Sequence, residues 1–140
     1  MATKSQKFIS FYIGDQQYAL PITYGNKFIE FTRLTAIPQS DKDILGLIYQ
    51  NGNIVTIIDI KRILKAKSLN QNIRQICLIF EVDDYHYGIL VDQGGETMSA
   101  NRIFTDRQKK IFKKYIKTKD KAKVYILEPA DILSQINIYD

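Results

Sequence analysis

With 140 residues, 45% of them hydrophobic, the chain has the size and apolar content of one ordinary domain, enough to bury roughly two-thirds of its unfolded surface. A net charge of +5 favours acidic partners without singling one out, and the lone cysteine, Cys77, excludes an internal disulfide. No segment is long and apolar enough to span a membrane, and the opening MATKSQKF lacks the apolar core of a secretion signal, which predicts a cytoplasmic protein.

In chain order, Phe8 to Ile13 reads as a strand, Gly14-Asp15 as a turn, and Tyr18 to Ile22 as a returning strand. Pro21, which cannot donate to a ladder, suggests an edge or a bulge there. Thr23 to Lys27 breaks the pattern, Phe28 to Phe31 resumes it, and Leu34 to Pro38 is a short extended piece. Ser40 to Asp43 can cap a brief helical turn. The strongest local signal follows in DILGLIYQNGNIVTIIDIKRIL, Asp43 to Leu64. Asn51-Gly52 suits the two positive-φ positions of a tight hairpin turn, between Leu47-Ile48-Tyr49 and the β-branched run Ile54 to Ile58. Asp59 stands where a helix N-cap would, ahead of Ile60 to Leu64. Lys65 to Arg74 is polar and reads as a loop between halves. Cys77, inside the apolar run Ile76 to Phe80, reads as buried, reduced and structural.

The second half repeats the first. FYIGDQQY from Phe11 to Tyr18 has a counterpart in FEVDDYHY from Phe80 to Tyr87, and 87 − 18 = 69. Val55 to Asp59 corresponds to Val124 to Glu128 at the same offset, 124 − 55 = 69, with no gap between the matches. A fixed long-range period carrying the same strand and turn signals implies duplication. We therefore expect one domain over 1–140 with two subdomains, about 8–64 and 75–133. On this register the Asn51-Gly52 turn falls opposite Asp120-Lys121. Many short strands in two equivalent units point to a mainly β fold of paired small barrels with one or more short helices.

One segment departs from the β pattern. Thr105 to Gln108 has the form of a capping box, and Ile111, Phe112, Tyr115 and Ile116 follow at helical spacing, predicting a short amphipathic helix. Its other face would carry Lys109, Lys110, Lys113 and Lys114, a basic surface for phosphates or an acidic protein, or simply a solvated face. His86, the only histidine, lies beside Asp83-Asp84, yet no nucleophile motif, metal-ligand cluster or glycine-rich phosphate loop accompanies it. Neither a cofactor, a metal nor a catalytic residue is expected. A basic barrel binding single-stranded nucleic acid through Tyr12, Tyr18, Tyr85 and Tyr87 is the rival reading. Two of them, Tyr18 and Tyr87, recur at repeat-equivalent positions, which suits packing better than one stacking platform.

Gly46-Leu47-Ile48, Gly52, and Val55 to Ile60 together resemble the signature hairpin of the CheW-like domain family, G-x-I-N-L-R-G followed by a strand ending P-V-I-D-L. Tyr18 to Ile22, Leu34 to Pro38 and the G-x-x-V-D strand at Gly88 to Asp92 agree with it, covering about Phe8 to Leu133. The resemblance implies two SH3-like five-stranded barrels packed side by side. It also implies a scaffold that couples the cytoplasmic tip of a methyl-accepting receptor, bound in a groove between the barrels, to the regulatory domain of a CheA-type histidine kinase. Receptor contacts are then expected at Gly25, Lys27, Gly46, Asn51 and Gly52; the kinase contact is not assigned. Asn51 replaces the family's arginine, Thr56 its proline, and Gly94-Gly95 stands where an apolar residue is usual. The family's V-x-E falls on Gly25-Asn26-Lys27 or, after a small shift, on Phe28 to Phe31. Losing arginine removes a charge and a planar donor fork; Asn51 equally makes a good turn with Gly52.

Overall fold

The computed structural model describes residues 5–38, 41–65 and 75–136. The expected loop beyond Lys65 and the expected cap at Ser40 lie outside these residues. In the first half, β1 (Gln6–Ile13) and β2 (Gln16–Pro21) form a hairpin, followed by β3 (Lys27–Phe31), β4 (Ile44–Gln50), β5 (Asn53–Ile58) and α1 (Lys61–Leu64). In the second come β6 (Gln75–Val82), β7 (Tyr85–Val91), β8 (Gln93–Ala100), the two-residue β9 (Phe104–Thr105), β10 (Lys114–Lys117), β11 (Lys123–Ile126) and α2 (Pro129–Ser134).

Tight turns were the best-specified local features. Asn51 and Gly52 both have positive φ, 51° and 81°, as the β4–β5 hairpin requires. Asp83 and Asp84 do the same for β6–β7 at 52° and 67°. Between β10 and β11, the Lys121 amide donates to the Thr118 carbonyl at 2.9 Å, closing the turn expected at Asp120-Lys121. At α1 the Asp59 carboxylate accepts the Lys61 amide at 3.0 Å, while Ile60 occupies the cap position. Pro21 is not on an edge strand: β2 lies between β1 and β11. It ends the strand, beyond the Tyr18 and Ala19 positions that pair with β11, so its missing donor leaves no ladder bond unmade.

The sheet orders are β8-β1-β2-β11-β10-β9 and β3-β6-β7-β5-β4. Each sheet closes on itself through the continuation of an edge strand. Past Phe31 the chain crosses to the far edge, where Thr35 bridges Leu47, and past Ala100 it does so again as β9 paired with β10. Each sheet also draws strands from both halves of the chain. The β1–β2 hairpin joins β8 to β11, and β6–β7 joins β3, β4 and β5. The registers coincide at the 69-residue offset: Thr56 pairs with Tyr87 as Tyr125 pairs with Tyr18, and Ile29 with Cys77 as Met98 with Phe8.

Period two along β1 and β2 then sorts the side chains. Phe8 and Ala19 fill the six-stranded barrel with Ile116, Val124 and Ile126. Val55, Ile57, Cys77 and Leu90 fill the five-stranded one. Ile9, Phe11, Tyr18 and Leu20 point outward into a third cluster with Leu78, Phe80, Tyr87 and Ile89, which joins the barrels. Phe11 and Phe80 are at most 1% exposed there, each contributing about 2–3 kcal/mol of burial.

The helix expected over Thr105 to Ile116 does not form. The apolar residues have three destinations that one helical face cannot serve: Phe112 enters the joining cluster, Ile116 the barrel interior, and Tyr115 the outer face of the sheet. Instead Asp106 donates its amide to the Lys113 carbonyl at 2.7 Å, closing a loop in which Phe112 turns inward at φ 50°. The helical spacing was coincidental, and β9 and β10 flank the loop.

Candidate functional site

The positions expected to contact a receptor fall in three places. Gly25 ends the β2–β3 turn, directly on β6. The Glu81 amide donates to the Tyr24 carbonyl at 2.9 Å, and a Cβ on Gly25 would lie 2.2 Å from the Ile79 carbonyl oxygen. A glycine is the residue that permits this approach. Lys27 opens β3 opposite Ile79 and is exposed. Gly46 sits at the bulge of β4, where a Cβ would meet the Thr35 carbonyl at 2.6 Å, so it serves the barrel-closing bridge. Asn51 and Gly52 form the exposed hairpin tip, with nothing within 4 Å of a Cβ on Gly52. Register carries one row across the sheet from Lys27 through Ile79, Gly88 and Ile57 to Gly46, so these two stand on opposite edges of it.

The seam between the barrels holds a pair that sequence reasoning did not foresee. The Phe28 ring lies 3.3 Å from where a Gly94 Cβ would be, taking up the space left by the missing apolar side chain of β8. A Cβ on Gly95 would in turn lie 2.8 Å from the Ser10 carbonyl oxygen, as one on Gly25 would meet Ile79, and Ser10 and Ile79 are 79 − 10 = 69 apart. The Ser10 hydroxyl donates to the Glu96 carbonyl at 2.6 Å, fixing the β1 bulge. Beside it a hollow of about 750 Å³ opens between β8 and the β10–β11 turn, lined by Tyr12, Gln17, Met98 and Lys117 among others.

Two ion pairs brace the elements behind these surfaces. Asp43, 3% exposed, receives both Nε and Nη2 of Arg62, tying β4 to α1. This contact raises the Arg62 pKa, chiefly through the side-chain hydrogen bond. Asp92 accepts the Gly14 amide at 2.6 Å and meets Lys61 at 3.6 Å, linking β7 to the β1–β2 turn and α1.

An exposed apolar row crosses the five-stranded sheet near its turns. Tyr49 and Ile54 are paired across β4 and β5 and are 70% and 53% exposed; Tyr85 stands beside Ile54 on β7. His86 is half-buried, with Nε2 3.7 Å from Glu81. Cys77 is fully buried, and burial pushes its thiol up to about 12. Among the described residues no three His, Cys, Asp or Glu side chains converge on a metal position. Tyr18 and Tyr87 are stacked on Phe11 and Phe80 inside the joining cluster, so the four tyrosines do not form a stacking platform. Of the lysines expected on one helix face, Lys110, Lys113 and Lys114 line a smaller hollow of about 310 Å³ beside Glu128 and Asp131, while Lys109 lies over the Tyr125 ring at 3.8 Å.

Two barrel-like sheets of SH3-like type, each with its own apolar interior and joined by a third cluster, with a seam, an exposed apolar row and braced turns, define a paired-barrel β protein whose prominent features are surfaces. Residues 7–137 match the CheW-like domain family, and the chain belongs to it. It is similar to the chemotaxis protein CheW of Helicobacter pylori, 28% identical over 100 residues, which are 71% of this chain and 61% of that protein. The chemotaxis protein CheW of Thermotoga maritima is 25% identical over 143 residues, 98% of this chain and 93% of that protein. The crystal structure of the scaffolding protein TtCheW from Thermoanaerobacter tengcongensis superposes with a TM-score of 0.77 at 21% identity, covering 88% of each chain, which establishes the shared fold. The chain spans 61% or 62% of the length of its Rhizobium and Helicobacter relatives. No described helix is long and apolar enough to cross a membrane.

Proposed function

We propose that this chain is a non-enzymatic cytoplasmic adaptor of a bacterial chemotaxis-type signalling system, coupling a receptor to a CheA-type histidine kinase through protein contacts. The observation that carries the reading is the family match, which runs through both barrels from residue 7 to 137. The whole chain acts as one domain, its repeats over 8–64 and 75–133 descending from a duplication. The coinciding strand registers support that origin.

The receptor side comprises Gly25 and Lys27 at the start of β3 and, across the sheet, Gly46 with the hairpin tip Asn51 and Gly52. Lys27 stands where the family carries an acid if Gly25-Asn26-Lys27 is the V-x-E element, so the cognate receptor presents an acidic group to it. Asn51 offers no guanidinium fork, and a conventional receptor tip binds weakly for that reason. The kinase side is the apolar row of Tyr49 and Ile54, an exposed pair suited to a second barrel's edge. The test is calorimetric titration with the CheW-like regulatory domain of a CheA-type kinase from the same organism. Saturable binding that Ile54→Asp weakens supports the reading, and absence of any complex refutes it.

A further inference from the structure

One row of aromatic side chains runs across the outer face of the six-stranded sheet, one residue on each of five strands. Phe11 on β1 pairs with Tyr18 on β2, Tyr18 with Tyr125 on β11, Tyr125 with Tyr115 on β10, and Tyr115 with Phe104 on β9. The first two are buried under the other barrel and the last three emerge half-exposed at its border. Their rings remain in contact, 5.6 Å from Tyr125 to Tyr115 and 5.4 Å from Tyr115 to Phe104. The repeat shows that the barrel does not need them. At the 69-residue offset Phe11 and Tyr18 are matched by Phe80 and Tyr87, but Tyr125, Tyr115 and Phe104 by Thr56, Gly46 and Thr35. The other barrel closes at these places without a ring.

The emergent rings carry cations. Arg102 and Lys117 lie over Phe104 at 5.0 and 4.5 Å, Lys123 over Tyr115 at 5.0 Å, and Lys109 over Tyr125 at 3.8 Å. The carboxylate placed among them, Asp106, is engaged internally. It accepts the Tyr125 hydroxyl at 2.9 Å and the Gln108 amide at 3.1 Å, and lies 4.0 Å from Lys123. Four cations against one committed carboxylate leave an outer face of ammonium and guanidinium donors held in place by ring faces.

We propose that this strip docks an acidic segment of a partner protein, whose carboxylates meet Arg102, Lys117 and Lys123. The surface is separate from the receptor and kinase contacts proposed above and does not depend on them. Charge complementarity selects the occupant. Nucleic-acid bases stack on bare ring faces, whereas each of these rings already has a cation over it, and spaced donors of this kind suit carboxylates.

The test titrates the full chain, at low salt, with a fluorescein-labelled Glu/Asp-rich peptide, its Gln/Asn counterpart and an oligo-dT strand of equal length. The acidic peptide binds saturably, the neutral one does not, and the oligonucleotide binds more weakly. Amide shifts in a heteronuclear spectrum centre on β9 to β11. Lys117→Glu/Lys123→Glu lowers affinity at least about tenfold, as expected when two contacting charges reverse, with melting temperature and circular dichroism unchanged. Should that variant misfold, Arg102→Gln/Lys117→Gln, which neutralises without opposing charge, gives the same loss in smaller degree. No binding, shifts centred elsewhere, undiminished affinity in a folded variant, or tighter binding of oligo-dT overturns the proposal, the last in favour of nucleic acid.

Discussion

Gly25→Val restores the apolar residue of the family's V-x-E element and separates two explanations of this glycine, a changed partner and a packed backbone. The valine Cβ would start 2.2 Å from the Ile79 carbonyl oxygen, where ordinary contact begins at 3.4 Å, so the turn must withdraw by 3.4 − 2.2 = 1.2 Å. No rotamer relieves the clash, because both atoms are tied to backbone. Withdrawal stretches the 2.9 Å bond from the Glu81 amide to the Tyr24 carbonyl, worth about 1 kcal/mol, and overpacking adds about 2 kcal/mol. A loss of about 3 kcal/mol in a chain of this length lowers the melting temperature by roughly 10 °C. Differential scanning calorimetry reads this directly, and Gly25→Ala, with the same Cβ, shows most of the shift. Binding of a conventional receptor tip does not improve. A Gly25→Val protein that melts within about 2 °C of the parent and gains receptor affinity refutes the packing argument and returns the glycine to partner choice.

Four further outcomes follow from the same geometry. Asn51→Arg places a long side chain at φ 51° and costs about 1 kcal/mol, near 3 °C in melting temperature, while strengthening binding of a conventional receptor tip; unchanged affinity in calorimetry removes Asn51 from the receptor contact. Cys77, with its thiol at about 12, resists alkylation at mildly alkaline pH and reacts only as fast as the barrel opens, so labelling rates track unfolding. Tyr125 has its phenol pushed up to about 12 from 10.0, first by burial and then by donation to Asp106. Because the folded value is the higher one, the stability this group contributes is complete below pH 10.0 and is lost as pH rises towards about 12. Tyr125→Phe removes that dependence, and in phenolate absorbance one late-titrating tyrosine disappears. Asp106 has the opposite sign: its carboxyl is lowered, chiefly by the Tyr125 hydroxyl, so its contribution is present above 3.8 and is lost as pH falls through the lowered value.

What could be read from the sequence was local or periodic. Asn51-Gly52 specified its turn because only a few residue pairs accept two positive φ angles, and the exact recurrence of Tyr18 at Tyr87 exposed the repeat before any strand pairing was known. The exchange of hairpins between barrels was not legible, because it depends on parallel contacts such as Thr56 with Tyr87, which no local pattern encodes. At Ile111 to Ile116 the spacing fitted a helix, and tertiary burial of Phe112 overrode it. Gly25 and Gly94 were visible as departures from the family, but the reasons for them, the Ile79 carbonyl and the Phe28 ring, lie on other strands. The aromatic strip was missed although it had a signal: Tyr115 and Lys117 on one strand, Lys123 and Tyr125 on the next, alternate with Ile116 and Val124 at period two.

The hairpin exchange interlocks the two halves of the chain. If each half of the chain built its own barrel, the two would meet across a surface that could slide. Here β2 is held by β11 and β7 by β5, so parting the two halves of the chain means breaking a sheet ladder in each barrel, and parting the barrels means uncovering Phe11, Tyr18, Phe80 and Tyr87. The symmetry between the repeats is incomplete. Asp43, paired with Arg62 at the head of β4, is matched at the 69-residue offset by Phe112, buried in the joining cluster, and Arg62 by Asp131. An apolar side chain in one repeat thus stands at the position of a buried carboxylate in the other, which is satisfied by an arginine that itself remains more than half exposed. The frame is thus conserved between the halves while the outer faces diverge, Thr56 and Gly46 on one barrel against Tyr125 and Tyr115 on the other.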